Sequence, residues 1–261
     1  MNKNIVAIIP ARMGSSRYPG KPLKKILDLP MIGHCLKRTE LCEDLSDTYV
    51  ATCDSEIHDY VLSIGGKSIM TSVDHERATD RTAEAISKIE EQTNSEVDIV
   101  VMVQGDEPMI TPNMISESLF PFTKNEEINV VNLMAEINTI SEFEDPNEVK
   151  VVVDNNNFAL YFSREPIPSR KKEFKEVNML KQVCIIPFKK EYLIKFNKMK
   201  ETPLEIIESV DMMRILENGE KVKMVMTDTT SYSVDTEEDR LKVEKAMESD
   251  LFLHKYMKRE K

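Results

Sequence analysis

Three cations stand within ten residues of one another in the stretch IIPARMGSSRYPGKP, residues 8–22: Arg12, Arg17 and Lys21. Gly14 and Gly20 lie among them, and an apolar run precedes them. Cationic side chains pair with phosphate oxygens, and glycines let backbone N–H groups come close to an anion. A loop with both features suits a polyphosphate. A solvated basic turn is the bland alternative, but three cations and two glycines directly after a strand-like run favour binding. The loop departs from the usual P-loop, because five residues rather than four separate its glycines and Pro22 follows Lys21. A Ser or Thr at that position would offer its hydroxyl to magnesium. Any metal must therefore be held elsewhere, by carboxylates.

VVMVQGDEP, residues 100–108, supplies candidates, since it ends an apolar run with Gln104, Gly105, Asp106 and Glu107. Magnesium prefers hard oxygen ligands and usually keeps substrate phosphates in its shell. An Asp-Glu pair followed by Pro108 also fits a helix cap; the glycine before Asp106 favours the chemical role. Asp235, in SVDTEEDR, is the third acid of interest. An Asp just before a helix is more often an N-cap than a ligand, and either Asp235 or Thr236 is placed to cap the last helix. Cys35, Cys42, Cys53 and Cys184 form no C-x-x-C pair and no His is spaced to complete a zinc site with them, so they read as free buried thiols in a reducing compartment.

The elements that would position these groups alternate. Ile5–Ile9 reads as a strand, Pro30 opens a helix running to about Leu45, and 48–52 is a strand. A helix runs from Asp54 to the Gly65-Gly66 stop, 67–70 is a strand and 79–92 a helix. Residues 97–103 form a β-branched run, as in a strand covered on both faces. This alternation predicts an α/β fold with a doubly wound, mostly parallel sheet, whose ligands bind at the C-terminal edge of the strands. The middle differs. Residues 148–164 hold two strand-like halves around Asp154-Asn155-Asn156-Asn157, a hairpin signal. A strand over 182–188, a helical region from Pro203 to about Gly219 and a strand over 221–227 follow. The tail HKYMKREK reads as a charged, frayed end. The reading is one domain over 1–261 with an inserted antiparallel subdomain over 140–200.

With 261 residues, one large domain with an insertion is the natural size. A net charge of −11 disfavours nucleic acid as a partner, since such binders carry a basic face. No apolar run is long enough to span a bilayer, and the N-terminal stretch reads as a strand rather than a signal peptide, so no membrane partner and a cytoplasmic location are expected. Only seven glycines occur, and Gly14, Gly20 and Gly105 sit in the two chemical segments, as if those positions tolerate no side chain.

Taken together, IIPARMGSSRYPGKPL, LPMIGH, VATCD, TSVDHERATDR, VMVQGDEPMI, DPNEVKVVVD, ALYFSREPIP, PLEIIESVDMMR and SVDTEEDR resemble the family of cytidylyltransferases that activate 3-deoxy-manno-octulosonate (Kdo). The pieces occur in the family's order, from about Ile5 to Arg240. The resemblance implies a Rossmann-like nucleotidyltransferase fold and CMP transfer from CTP to the anomeric hydroxyl of a small acidic sugar, releasing pyrophosphate. It implies that Arg12, Met13, Gly14, Arg17, Lys21, Thr79, Arg81 and Asp106 bind the nucleotide, with Lys21, Asp106 and Arg12 acting in catalysis. Asp106 and Asp235 would hold Mg2+. Gln104, Arg164, Gln182 and Asp211 would face the sugar acid. It also implies a homodimer paired through about 148–188.

The chain departs from the family where the acid would bind. Gln182 stands where the family has a His, Ile186 where it has a Tyr, and Asp211-Met212 where it has Glu-Gln. A Gln hydrogen-bonds but carries no imidazolium charge. Lys181 could add charge nearby, and Arg164 remains for a carboxylate or a phosphonate. Kdo or a close analogue is the expected acceptor; a different acid, or a CTP-binding homologue without catalysis, are the alternatives.

Overall fold

A computed structural model of the chain describes residues 3–14, 18–169, 178–230 and 232–257. They form two compact units, Met1–Ser116 with Ser231–Lys261, and Glu117–Thr230.

The first unit opens with β1 (Ile5–Ala11), buried at every position after Ile5. A one-turn 3-10 helix at Lys21–Leu23 and a two-residue ribbon pairing Lys25–Ile26 with Leu29–Pro30 follow. Helix α1 spans Met31–Thr39, with Pro30 as its N-cap rather than its first residue. It stops short of Leu45 because the bonds tighten to three-residue spacing, Leu41 N–H to Arg38 O at 3.2 Å and Cys42 N–H to Thr39 O at 3.0 Å. Strand β2 (Asp47–Thr52), helix α2 (Ser55–Ser63), strand β3 (Lys67–Met70), helix α3 (Ala78–Thr93) and strand β4 (Ile99–Val103) complete the alternation.

Strand β1 pairs in parallel with both β2 and β4, and β2 pairs in parallel with β3. The order within this unit is therefore β4-β1-β2-β3. Winding proceeds one way from β1 to β3, then α3 carries the chain back past β1 to β4. The direction reverses between β1 and β4, so the loops leaving those strands diverge and leave a crevice at their C-terminal ends. Those loops carry Arg12 to Lys21 and Gln104 to Glu107. The doubly wound parallel reading is borne out.

Helix α4 (Pro112–Leu119) contains the boundary between the units. The second unit holds β5 (Val131–Glu136), α5 (Ile140–Glu144), β6 (Lys150–Val153), β7 (Ala159–Ser163), β8 (Leu180–Val183), β9 (Ile185–Lys189), α6 (Lys190–Asn197), α7 (Pro203–Glu208), α8 (Met212–Glu217) and β10 (Lys223–Met226). Its sheet runs β10-β5-β8-β6-β7 and is antiparallel except where β10 lies parallel to β5. The hairpin β6–β7 forms as its turn residues require: Asp154 Oδ1 accepts from Asn156 N–H and Phe158 N–H, both at 2.8 Å. The two outermost strands meet at one corner through the Phe158–Lys223 bridge, with Ala159 N–H to Val222 O at 3.0 Å.

Two expectations are corrected here. Residues 182–188 are not one strand. Val183 faces Leu133 and Phe188 faces Val130, so five residues on one side match three on the other, and the strand breaks at Cys184. The helical region after Pro203 is two helices, divided where Ser209 takes a left-handed conformation at φ 52°.

The chain ends in the first unit with α9 (Glu237–Met247) and α10 (Leu253–Tyr256). Val243 and Met247 of α9 pack with Ile26, Met31 and Val234 in one apolar cluster, bordered by Tyr18, Leu27 and Met109. The tail is tied down rather than frayed as far as Tyr256. Its hydroxyl lies 2.8 Å from His34 Nδ1 and accepts from Arg38 Nε at 3.1 Å, while the Arg38 guanidinium pairs with Asp250. Lys258 to Lys261 lie outside the described residues.

Candidate active site

The loop after β1 is fixed at both ends. Met13 N–H donates to Asp54 Oδ2 at 2.8 Å, and Gly20 N–H reaches back to Met13 O at 3.3 Å. Gly20 turns the chain at φ 70°, a conformation that costs other residues energy, and delivers Lys21 into the 3-10 turn. Arg12 is exposed and Met13 half-buried, whereas Arg17 lies outside the described residues. The expectation that all three chemical-segment glycines exclude a side chain needs correction at Gly14, where an added Cβ would meet nothing within 4 Å. Gly105 does require its hydrogen, because a Cβ there would lie 2.9 Å from the Pro10 carbonyl oxygen.

That close approach brings the end of β4 against the end of β1 and sets Asp106 beside Lys21. Lys21 Nζ donates to Asp106 Oδ2 at 2.8 Å and to Asp235 Oδ1 at 3.1 Å. Burial works against the ammonium, but the two carboxylates outweigh it and hold the Lys21 pKa above its ordinary value. Asp235 arrives from far along the sequence through a backbone bond, Val234 N–H to Asp106 O at 3.0 Å. The structure also decides which residue caps α9. Thr236 Oγ1 accepts from Asp239 N–H at 3.2 Å, and Asp239 Oδ2 accepts from Thr236 N–H at 3.0 Å, closing a capping box. With Thr236 as the cap, the Asp235 carboxylate is turned to Lys21.

Two carboxylates from separate segments thus converge on one small cation. Their oxygens are hard donors, suited to a divalent ion that takes its remaining ligands from water or phosphate. Among the described residues no group of three or more His, Cys, Asp or Glu side chains is arranged to hold a metal, so a bound ion here would depend on substrate oxygens. Glu107, the neighbouring acid, is buried, and burial pushes the Cys35 thiol well up. None of the described cysteines forms a disulfide; Cys35 and Cys42 are buried, Cys53 and Cys184 half-buried.

Thr79 and Arg81 of α3 are buried. Arg81 gives Nη1 to Thr71 Oγ1 and to Ser72 O at 3.3 Å, and Nη2 to His75 O at 3.4 Å. It holds the 71–75 loop from beneath. Gln104 is half-buried at the end of β4.

The remaining candidates belong to the second unit. Arg164 is braced rather than free-swinging. Its Nε donates to Glu208 O at 2.7 Å and its Nη1 to Pro146 O at 2.9 Å, while Glu208 Oε2 accepts from its backbone N–H at 2.8 Å. Gln182 Nε2 donates to Asn132 Oδ1 at 2.5 Å, and the buried Asn132 amide donates onward to Val183 O at 2.7 Å. Asp211 precedes α8, and Met212 is fully buried, a core residue of this unit. Lys181 adds no free charge, because Glu142 and Glu148 take it at 2.7 and 3.2 Å. Sequence reasoning missed Asp54, Asn132 and Glu208. Asp54 carried a signal, standing just after a strand and before a helix; the other two act through contacts far apart in sequence.

A doubly wound sheet whose switch-point loops set a lysine beside one carboxylate, with a second converging from the segment before α9, defines an α/β nucleotide-binding protein. Comparison with known proteins narrows the class: residues 6–222 match the model of the family described as cytidylyltransferase, and the chain belongs to that family. A protein of Trichlorobacter lovleyi named 3-deoxy-manno-octulosonate cytidylyltransferase is 39% identical over 253 residues, covering 93% of this chain and 98% of its own. One of the same name from Thermodesulfovibrio yellowstonii is 41% identical over 249 residues, covering 93% and 97%. A solved structure of CMP:2-keto-3-deoxy-manno-octonic acid synthetase complexed with CTP superposes with a TM-score of 0.87 at 36% identity, covering 95% of this chain and all of that one. A 4-diphosphocytidyl-2C-methyl-D-erythritol synthase from Anaerococcus prevotii shares the fold, with a TM-score of 0.62 at 14% identity.

Proposed function

We propose that this chain transfers CMP from CTP to the anomeric hydroxyl of 3-deoxy-manno-octulosonate, with magnesium as its metal. The observation that carries the reading is the convergence of Lys21 with Asp106 and Asp235 in a chain similar along nearly its whole length to proteins named for that reaction. In the reaction a sugar oxygen bonds to the α-phosphorus, the bond from that phosphorus to the β-phosphate bridge breaks, and pyrophosphate leaves. Such transfers depend on positioning and charge neutralisation rather than on a protein nucleophile. Arg12 and Lys21 neutralise phosphate charge as it shifts toward the leaving group. Asp106 and Asp235 would hold the magnesium, which when bound would polarise the phosphoryl oxygens. Arg164 presents to the acid the donors that its carbonyl contacts leave over, and Gln182 offers an uncharged amide.

The test is pyrophosphate release from CTP and magnesium against Kdo and related acids, with the CMP-sugar identified by mass spectrometry. Release with Kdo is expected. CTP bound but no release with any acid would refute the reading in favour of a binding-only protein. Pairing of subunits through 148–188 belongs to the same reading, supported by the exposed Leu160 on β7, and sedimentation checks it. Among the described residues no helix is long and apolar enough to cross a membrane.

A further inference from the structure

We propose that Lys21 holds the place of the divalent cation between Asp106 and Asp235 until CTP arrives, so that metal enters with the triphosphate and not before it. This deepens the function proposed above and rests on its metal assignment. The Lys21 ammonium lies 2.8 Å from Asp106 Oδ2 and 3.1 Å from Asp235 Oδ1, the distances of charge-assisted hydrogen bonds. The two oxygens therefore share one point of convergence, and an ammonium fills it. A magnesium ion would sit closer to each oxygen, at about 2.0–2.1 Å, and it tolerates no second cation at that point. The carboxylates are fixed, one by the Val234 N–H to Asp106 O bond and the other by the capped start of α9. The movable partner is the lysine, a compact charge on a flexible four-carbon stem.

Lys21 leaves its carboxylates only for a comparable negative charge. The triphosphate that the Arg12 to Lys21 loop is suited to hold supplies one. As the ammonium turns to phosphate, the two oxygens are released, and the same phosphates complete the shell of an incoming ion. Metal and nucleotide thereby favour each other's binding, and the coupling is reciprocal. A protein that excludes free metal also avoids holding an ion whose only use is with substrate.

Manganese binding to the nucleotide-free protein tests this, followed by the electron paramagnetic resonance of free Mn2+ in wild type, Lys21→Met, Lys21→Gln and Asp106→Asn. Circular dichroism verifies that each is folded. Wild type should bind Mn2+ weakly, and Lys21→Met and Lys21→Gln at least about 10-fold more tightly, a change of about 1.4 kcal/mol. Both lysine variants should lose CTP affinity. Unchanged or weakened Mn2+ binding in the folded lysine variants would overturn the proposal while leaving the metal assignment standing. So would tight Mn2+ binding by nucleotide-free wild type that Asp106→Asn abolishes, a result that needs no lysine variant. If Asp106→Asn with CTP binds Mn2+ as wild type does, the metal assignment falls and the proposal with it.

Discussion

Asp235 and Thr236 are adjacent, yet the structure gives them separate tasks, and exchanging the damage between them tests that division. Thr236→Ala removes the side-chain acceptor for Asp239 N–H and leaves that donor without its cap, a loss of about 1 kcal/mol. For a chain of this size that corresponds to a fall in Tm of about 2–4 °C. Helix α9 stays docked, because Val243 and Met247 remain in their apolar cluster, so turnover should change by less than about threefold. Asp235→Asn should do the reverse. Lys21 keeps its bond to Asp106 at 2.8 Å and is not left as an unpaired buried charge, so stability should change by only about 1 kcal/mol. Turnover should fall at least about 100-fold, which corresponds to about 2.7 kcal/mol of transition-state stabilisation, within what a metal site supplies. Thermal unfolding by circular dichroism and a coupled pyrophosphate assay read the two effects. If Asp235→Asn lowers Tm and spares turnover while Thr236→Ala is silent, Asp235 is the cap and its place in the site is refuted.

Gly105→Ala forces a Cβ to 2.9 Å from a backbone oxygen that cannot swing aside, so it should cost about 1–3 kcal/mol and lower turnover as Asp106 shifts from Lys21; unchanged Tm and turnover would count against the packing described. Glu205→Ala leaves the buried Arg214 guanidinium without the carboxylate it holds at 2.6 and 2.7 Å, and urea denaturation should show a loss of about 3–5 kcal/mol. Burial lowers the pKa of His34 to about 4 from its ordinary 6.5. Because the folded value is depressed, the unfolded chain takes up the proton first as pH falls. Stability should therefore be full above about pH 6.5 and decline toward pH 4, by as much as about 1.4 kcal/mol per unit for this one group. A Tm that follows the same pH curve in a folded His34→Gln variant, which has no imidazole to titrate, would argue against that linkage. Glu208→Ala should raise the KM for the acid with the KM for CTP unchanged, and Glu208→Gln should restore most of the loss by again accepting from Arg164 N–H.

Much of this arrangement was legible in the chain. Strand β4 shows in its unbroken apolar run because a strand buried on both faces needs apolar residues at each position, and the β6–β7 turn shows because Asp154 makes its bonds locally. The Lys21 loop and Asp106 were legible because both directly follow apolar strands. What remained hidden depends on partners far off in sequence. The contacts of a charged residue are invisible in sequence: Arg81 holds the 71–75 loop, Arg164 is braced by Glu208 and Pro146, and Lys181 is shared by two glutamates. The break at Cys184 is a mismatch of register with β5, invisible from either strand alone. Asp235 looked like a cap because only the fold shows Thr236 closing the box.

The backbone bond from Val234 to Asp106 also sets an order of events on the ribosome. Lys21 and Asp106 are made early, with all four parallel strands, but the carboxylate that completes their set follows the whole of Glu117–Thr230. A nascent chain released before Ser231 contains every strand of both sheets and lacks Asp235, so its Lys21 would have only one of its two carboxylate partners. Every strand can therefore be in place while the Lys21 cluster is still incomplete, so the assembly of the sheets and the assembly of that cluster are separable steps in synthesis.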